Sequence, residues 1–190
     1  MVGGGYKYCQ LGEGNAFLRV PRGCTLRPVI TGWFAEFADL AAPAGSGQVA
    51  YGEGAARFAG ATFDPVSAYR GAAVWRFFAA QGLDVAALRT INQQQVQHLA
   101  DGFDRLDLDP AVITRDRDLR GADRGGFLVL ESPHAEALCR GLRARDVWTD
   151  HRGRALRLGP APYVATAQLG LALGHLAELV RTLDRGEASS

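Results

Sequence analysis

The chain has 190 residues with a formal net charge of +1, and 47% of its residues are hydrophobic. This length suits one large domain or two small ones, and the hydrophobic content supports a buried core. The near-neutral charge, without a basic stripe, argues against nucleic acid as the main partner. No apolar run reaches the roughly 18 residues that a membrane-spanning helix needs.

The three cysteines, Cys9, Cys24 and Cys139, stand far apart and form no CxxC pair. An odd number with this spacing argues against a disulfide framework and against a zinc site, and it favours a reducing compartment. The first residues also lack the basic and apolar regions of a secretory signal. The sequence therefore predicts a cytoplasmic protein with no metal site and no membrane association.

The first 63 residues are rich in glycine and show little helical periodicity. Alternating apolar residues predict one strand at 16–20. The Gly/Ala/Ser-rich stretch at 45–54 predicts a loop.

Two helices are predicted after residue 63. Asp64 caps the first, which begins at Pro65, where the missing N–H is tolerated, and Gly82 ends it. Asp84 caps the second, which extends to near Leu106. Apolar residues fall at helical spacing along the first helix: Val66, Tyr69, Ala73, Phe77 and Ala80.

The last third of the chain alternates strands with helices. Short apolar runs predict strands at 126–131, 147–149 and 155–158. Ser132 and Pro133 predict the start of a helix, and a final amphipathic helix is predicted at 166–185. These elements predict a small α+β layer, in which helices cover one short sheet.

Lys7 is the only lysine among 21 basic residues. Arginine cannot replace lysine where an amine must lose its proton and act as a nucleophile, so its retention points to amine chemistry; chance retention on a solvated surface is the alternative. Lys7 lies between Tyr6 and Tyr8 and precedes Gly12 and Gly14. Partial desolvation by the two rings would favour the neutral amine for Schiff-base chemistry.

Several segments resemble the motifs of kynureninase, a member of the class V aminotransferase group of pyridoxal-phosphate enzymes. Tyr6-Lys7-Tyr8 and the G-x-G that follows resemble the cofactor-lysine segment of that family. Five further segments resemble family motifs and follow in the family's order: 26–34 (family R/K-P-x-x-x-G-W-F), 57–66, 124–126 (R-G-S/C), 150–152 (D-x-R) and 157–163. The resemblance covers the chain from Tyr6 to about Leu183.

The resemblance implies an α/β fold with an α+β small domain, the C-terminal part of a fold-type I pyridoxal-phosphate enzyme. It divides the chain into the end of the large cofactor-binding domain (1–63), connecting helices (64–109) and the small C-terminal domain (110–190).

The resemblance also implies residue roles. Lys7 would hold pyridoxal 5'-phosphate and serve as a base, and Tyr6 would touch the cofactor phosphate and assist proton transfer. Arg157 would clamp the substrate α-carboxylate, for which a guanidinium fork is suited. Thr62 would reach the cofactor phosphate, and Trp33 the site, of a neighbouring subunit, so an oligomer with shared sites is expected.

The chain departs from the family at Gln10, where Asn is usual, and at Pro160 and Tyr163 beyond the carboxylate arginine. These departures loosen the substrate assignment more than the fold assignment. In the family, the partner of the pyridinium nitrogen and most phosphate ligands precede the lysine, whereas six residues precede Lys7 here. A complementary N-terminal half polypeptide is therefore expected as a partner.

Three functions remain open at this point. The chain would be the C-terminal half of a split kynureninase-like enzyme that hydrolyses kynurenine or a related aryl-keto amino acid to an anthranilate-type acid and alanine. It would alternatively be a non-catalytic relic or interaction protein. The third possibility is another class V reaction, such as desulfuration or transamination, on the same scaffold.

Overall fold

The structure is a computed structural model, which describes residues 1–39, 51–62, 64–119 and 121–187. Contacts divide the chain into two compact units, Met1–Gly82 and Leu83–Ser190. The domain limits implied by the resemblance, at 63/64 and 109/110, stay predictions.

In the first unit, β1 (Val2–Gly4) pairs antiparallel with β2 (Ala16–Leu18), with Gly3 opposite Phe17. The strand predicted at 16–20 is confirmed and ends two residues earlier. The partner strand β1 escapes sequence analysis because two of its three residues are glycine, which has low strand propensity. The unit also contains two 3-10 helices, Trp33–Asp39 and Gly54–Phe58; of the loop predicted at 45–54, residues 45–50 lie outside the described residues.

Helix α1 (Pro65–Ala80) begins where the sequence predicts, because the Asp64 side chain accepts a hydrogen bond from the Val66 N–H at 2.9 Å. The apolar residues at helical spacing are exposed. The buried side instead presents Ser67, Gly71 and Phe78. Periodicity therefore identifies this helix without identifying which side is covered.

The second unit contains α2 (Val85–Asp104), α3 (Ala135–Arg143) and α4 (Thr166–Glu187). The Asp84 side chain accepts the Ala87 N–H at 2.7 Å and caps α2 as predicted. Ser132 precedes α3 by three residues; its hydroxyl accepts the His134 N–H at 3.0 Å.

Three strands form one antiparallel sheet in the order β3 (Leu128–Glu131), β5 (Ala155–Leu158), β4 (Asp150–Arg152). The strands predicted at 126–131 and 155–158 are confirmed, the first in a shorter form. The strand predicted at 147–149 is wrong, since pairing begins at Asp150. Val147 is instead used in the turn that ends α3, where its N–H donates to Leu142 O at 3.0 Å.

The core of the second unit lies between this sheet and the three helices. Alternate residues of β3 and β5 point into it, and the predicted inner face of the last helix is buried there. Its most buried large side chains are Leu99, Ile113, Leu130, Leu138, Leu142, Leu156, Leu176 and Val180. Among the described residues, none of the helices combines the length and apolar character that crossing a bilayer requires.

An ion pair joins the end of α2 to the chain that follows it. Arg115, with a side chain only 7% exposed, donates from Nε to Asp104 Oδ1 at 2.9 Å and from Nη2 to Asp104 Oδ2. The hydrogen bonds from Arg115 hold the pKa of Asp104 below its ordinary value, and Arg117 contributes in the same direction. The pair therefore stabilises the folded state where aspartate is ionised in the unfolded chain.

We predict that Asp104→Asn lowers the free energy of unfolding of the second unit by about 1 to 2 kcal/mol at neutral pH, because Arg115 loses its charged partner. Hydrogen exchange of the α2 and α4 amides measures the loss. The difference from the unaltered chain should shrink as the pH falls through the ordinary aspartate range near 4, where the unfolded chain takes up its proton, and should disappear at the lower pH where Asp104 of the folded chain is also protonated.

The exposed Asp118→Asn serves as the matched control and should leave exchange unchanged. Equal exchange in Asp104→Asn and Asp118→Asn at neutral pH would contradict the prediction.

Candidate functional site

Residues 5–15, here called the lysine loop, connect β1 with β2. The loop is closed at its base, where the Gly5 N–H donates to Asn15 O at 2.7 Å and the Leu11 N–H donates to Gly5 O at 2.9 Å. Gly12 and Gly14 adopt φ angles of +70° and +91°, which favour glycine over residues with a Cβ. The G-x-G of the lysine segment is thus explained by the backbone path.

Lys7 opens a tight turn in this loop, in which the Gln10 N–H donates to Lys7 O at 2.9 Å. Gln10 has a φ of +53°, a conformation that asparagine tolerates better than glutamine. The family's usual Asn at this position therefore fits the turn geometry, and Gln10 carries a small backbone cost here.

The Lys7 side chain is exposed, and its Nζ lies 5.4 Å from the centroid of the Tyr6 ring. Tyr6 is 50% exposed and Tyr8 is 67% exposed. The expectation that the two flanking rings desolvate Lys7 is therefore wrong for the described chain. No ion pair holds the ammonium group within the described residues, so the amine is accessible to a ligand.

Hydrogen bonds from side chains to backbone carbonyls join helix α1 to the lysine loop. Arg70 donates from Nε to Leu11 O at 2.8 Å and from Nη2 to Glu13 O. Asn15 donates from Nδ2 to Ser67 O at 2.6 Å. These contacts join residues more than 50 positions apart in sequence, and they fix the loop that carries Lys7.

Sequence reasoning missed Arg70 and Asn15. One signal was available, because Arg70 lies three residues after Ser67 and shares its side of the helix. Ser67 is small and polar, so it marks a side of the helix that a loop can approach closely.

Trp33 and Thr62 also belong to the first unit. Trp33 begins a 3-10 helix, is about half exposed, and packs edge-on against Phe34 with ring centroids 4.6 Å apart. Thr62 is exposed beside residue 63, which lies outside the described residues. Their roles toward a neighbouring subunit stay predictions.

Arg157 lies in the second unit, on the outer face of the sheet. It is directly opposite Asp150 in the β4–β5 pairing, and it donates from Nε to Asp150 Oδ1 and from Nη2 to Oδ2. The guanidinium carbon is 5.2 Å from the centroid of the Phe127 ring. The side chain is 26% exposed, so part of it is available to a ligand.

The ion pair shifts the pKa of both Asp150 and Arg157. The hydrogen bonds from Arg157 hold the pKa of Asp150 below its ordinary value, and Arg152 adds to this effect. In turn, the Asp150 carboxylate raises the pKa of Arg157. Both groups are therefore ionised at neutral pH.

Within the described residues, no group of three or more His, Cys, Asp or Glu side chains is arranged to hold a metal.

Among solved structures, the chain is similar to a NifS-like protein, with a TM-score of 0.56 and 15% sequence identity. The match covers 88% of this chain and 42% of the NifS-like chain, so the present residues span less than half of that protein's length. No family model matches the sequence, and no curated protein matches it.

At this identity the likeness concerns the fold alone. It confirms the predicted fold class, since the chain has the mixed helix-and-sheet fold of part of the NifS-like protein. It does not single out kynureninase.

We predict that Arg70→Ala loosens the lysine loop, because the carbonyls of Leu11 and Glu13 each lose a hydrogen bond from Arg70, at a net cost of about 1 to 2 kcal/mol. Hydrogen exchange at Gly5 and Leu11 should become faster. Arg76→Ala, an exposed arginine on the same helix, is the matched control and should leave both amides unchanged. Unchanged exchange in Arg70→Ala would show that Arg70 does not hold the loop.

Proposed function

We propose that this chain is the part of a class V pyridoxal-phosphate enzyme that supplies the cofactor lysine, Lys7, and the arginine for the substrate carboxylate, Arg157. The observation that carries the proposal is the accessible amine of the only lysine, on a loop closed by backbone hydrogen bonds and held by α1. This arrangement fits a covalent attachment point, since it combines a held backbone with an exposed side chain that makes no ion pair within the described residues.

Lys7 Nζ would hold the cofactor, with the hydroxyl groups of Tyr6 and Thr62 directed to phosphate groups as the resemblance implies. When bound, pyridoxal phosphate supplies an electron sink for negative charge next to the substrate amine. Lys7 Nζ would also be the base that takes the proton from the substrate α-carbon. Arg157 binds the α-carboxylate, and Trp33 reaches the site of a neighbouring subunit.

The proposed reaction is kynureninase-like hydrolysis. One water molecule is consumed, the bond between the ketone carbon and the β-carbon breaks, and the products are an anthranilate-type acid and alanine. Support comes from the ordered series of segments that resemble the family, from Tyr6 to 157–163. The structure adds backbone reasons for two features of the lysine segment, the glycines at 12 and 14.

Another class V reaction, desulfuration or transamination, is the second candidate. The similarity to a NifS-like protein favours it. Pro160 and Tyr163, which depart from the kynureninase pattern just beyond Arg157, are compatible with a different substrate.

The group that pairs with the pyridinium nitrogen and most phosphate ligands are assigned to none of the present residues. Under the proposal they come from further polypeptide, for which a complementary N-terminal half is the expected form. The chain spans 42% of the NifS-like protein, which is compatible with such a contribution.

We predict that borohydride reduction fixes pyridoxal phosphate on Lys7 when the chain is combined with a complementary N-terminal kynureninase-like polypeptide. Peptide mapping by mass spectrometry locates the label. The amino terminus of Met1, which donates to Arg19 O at 3.1 Å, is the competing amine within the chain. Lys7→Arg keeps the positive charge and should lose the label.

Equal labelling of Met1 and Lys7, or no label in the assembled sample, would overturn the cofactor proposal. Either result would favour a non-catalytic interaction protein.

We predict that Arg157→Lys lowers kcat/KM for L-kynurenine by about 100-fold while cofactor attachment is unchanged, because the ammonium group cannot form the bidentate pair. Arg154→Lys, an exposed arginine in the turn between β4 and β5, should leave turnover unchanged. Turnover of a thiol-containing amino acid with none of L-kynurenine would instead identify the reaction as desulfuration. Full kynurenine activity in Arg157→Lys would contradict the assigned role.

A further inference from the structure

A guanidinium group can present two edges to carboxylates, Nε with Nη2 and Nη1 with Nη2. In Arg157 the first edge is occupied, because Nε and Nη2 both donate to Asp150. Nη1 has no hydrogen-bond partner among the described residues. The second edge therefore retains the donors for one further carboxylate.

Asp150 is held in place by the backbone. It lies directly opposite Arg157 in the antiparallel pairing of β4 and β5, and the next two pairs, His151 with Leu156 and Arg152 with Ala155, extend the same register. Because side chains alternate between the two faces of a sheet, a one-residue slip of β4 would turn Asp150 away from the outer face and bring His151 there instead. Asp150 therefore cannot leave Arg157 by sliding of the strand.

An aromatic ring lies beside the guanidinium group as a third contact. The Phe127 ring, at the beginning of the segment that leads into β3, lies 5.2 Å from the Arg157 carbon Cζ. Such a contact is attractive and favours defined orientations of the group. Asp150 at one edge and Phe127 at its side leave few orientations open to Arg157.

We propose that Asp150 is a positioning residue, which holds the Nε and Nη2 edge of Arg157 and presents the Nη1 and Nη2 edge to the α-carboxylate of an amino-acid substrate. This inference rests on the proposed role of Arg157. The alternative is that Asp150 occupies the place of the substrate carboxylate and competes with it. The fixed register and the unused Nη1 favour positioning.

The charges of this sheet face are compatible with binding an anion. Arg152 and Arg157 both lower the pKa of Asp150, which keeps the carboxylate ionised and able to accept both hydrogen bonds. Glu131, on β3, faces the same side as a second acidic group. Asp150 orients Arg157 and neutralises only part of its charge. The remaining charge and donors suit one small carboxylate better than a large anion.

The test uses the 190-residue chain with ¹⁵N-labelled arginine and observes the side-chain N–H signals by NMR. Signals that disappear in Arg157→Lys belong to Arg157. L-alanine, which has a carboxylate, and L-alaninamide, which does not, are the two probes. We expect the Nη signals of Arg157 to shift with L-alanine and not with L-alaninamide.

Asp150→Asn should weaken the L-alanine response by about fivefold, since one oriented charged contact is lost. Asp150→Ser is a second variant, and the backbone amides of β5 report whether either variant keeps the strand paired. Glu136→Gln, an exposed acidic residue on α3, is the matched control and should leave the response unchanged.

Equal or tighter binding in both Asp150 variants, with β5 intact, would overturn the positioning role; tighter binding would identify Asp150 as a competitor. Loss of β5 pairing in both variants would show that the residue is structural and would also overturn it. Equal responses to the two probes in the unaltered chain would remove Arg157 as a carboxylate site. None of these results depends on cofactor labelling at Lys7, so a failure here is distinct from a failure of the cofactor proposal.

Discussion

The alternation of side chains along β5 is the constraint on which the second unit depends. Leu156 and Leu158 point into the core and are almost fully buried, so Arg157 between them must point to the outer face. The same register places Asp150 opposite Arg157. The burial of Leu156 and Leu158 therefore determines that Arg157 and Asp150 meet on the outer face of the sheet.

The lysine loop is organised by a different principle. Side-chain hydrogen bonds join it to α1: Arg70 of the helix donates to the carbonyls of Leu11 and Glu13, and Asn15 of the loop donates to the carbonyl of Ser67. Fixing a loop in this way gives its backbone carbonyls hydrogen-bond donors and leaves the Lys7 side chain accessible. Lys7 is therefore presented on a held backbone without being buried, which is the arrangement that an amine needs in order to accept a ligand.

Arg157 and Lys7 differ in how far neighbouring residues orient their side chains. Arg157 has a partner at one edge and an aromatic ring at its side, so its remaining donors point in a restricted set of directions. Lys7 has one weak aromatic contact, with Tyr6, and the flanking rings do not exclude water from it. Under the proposed function, the desolvation and most cofactor contacts come from further polypeptide, in agreement with a chain that matches 42% of a NifS-like protein.

The sequence by itself determined the features that depend on neighbours in the chain: the helix starts at Asp64 and Asp84, the strand 155–158 and the final helix. It also identified Lys7 as the candidate amine. Capping and periodicity act over a few residues, so these patterns are visible without a structure. Only the tertiary structure decided the position of β4, the exposure of the apolar side of α1, the capture of the lysine loop by Arg70, and the pairing of Asp150 with Arg157. Each of these depends on which distant segment supplies the partner, and local sequence does not contain that information.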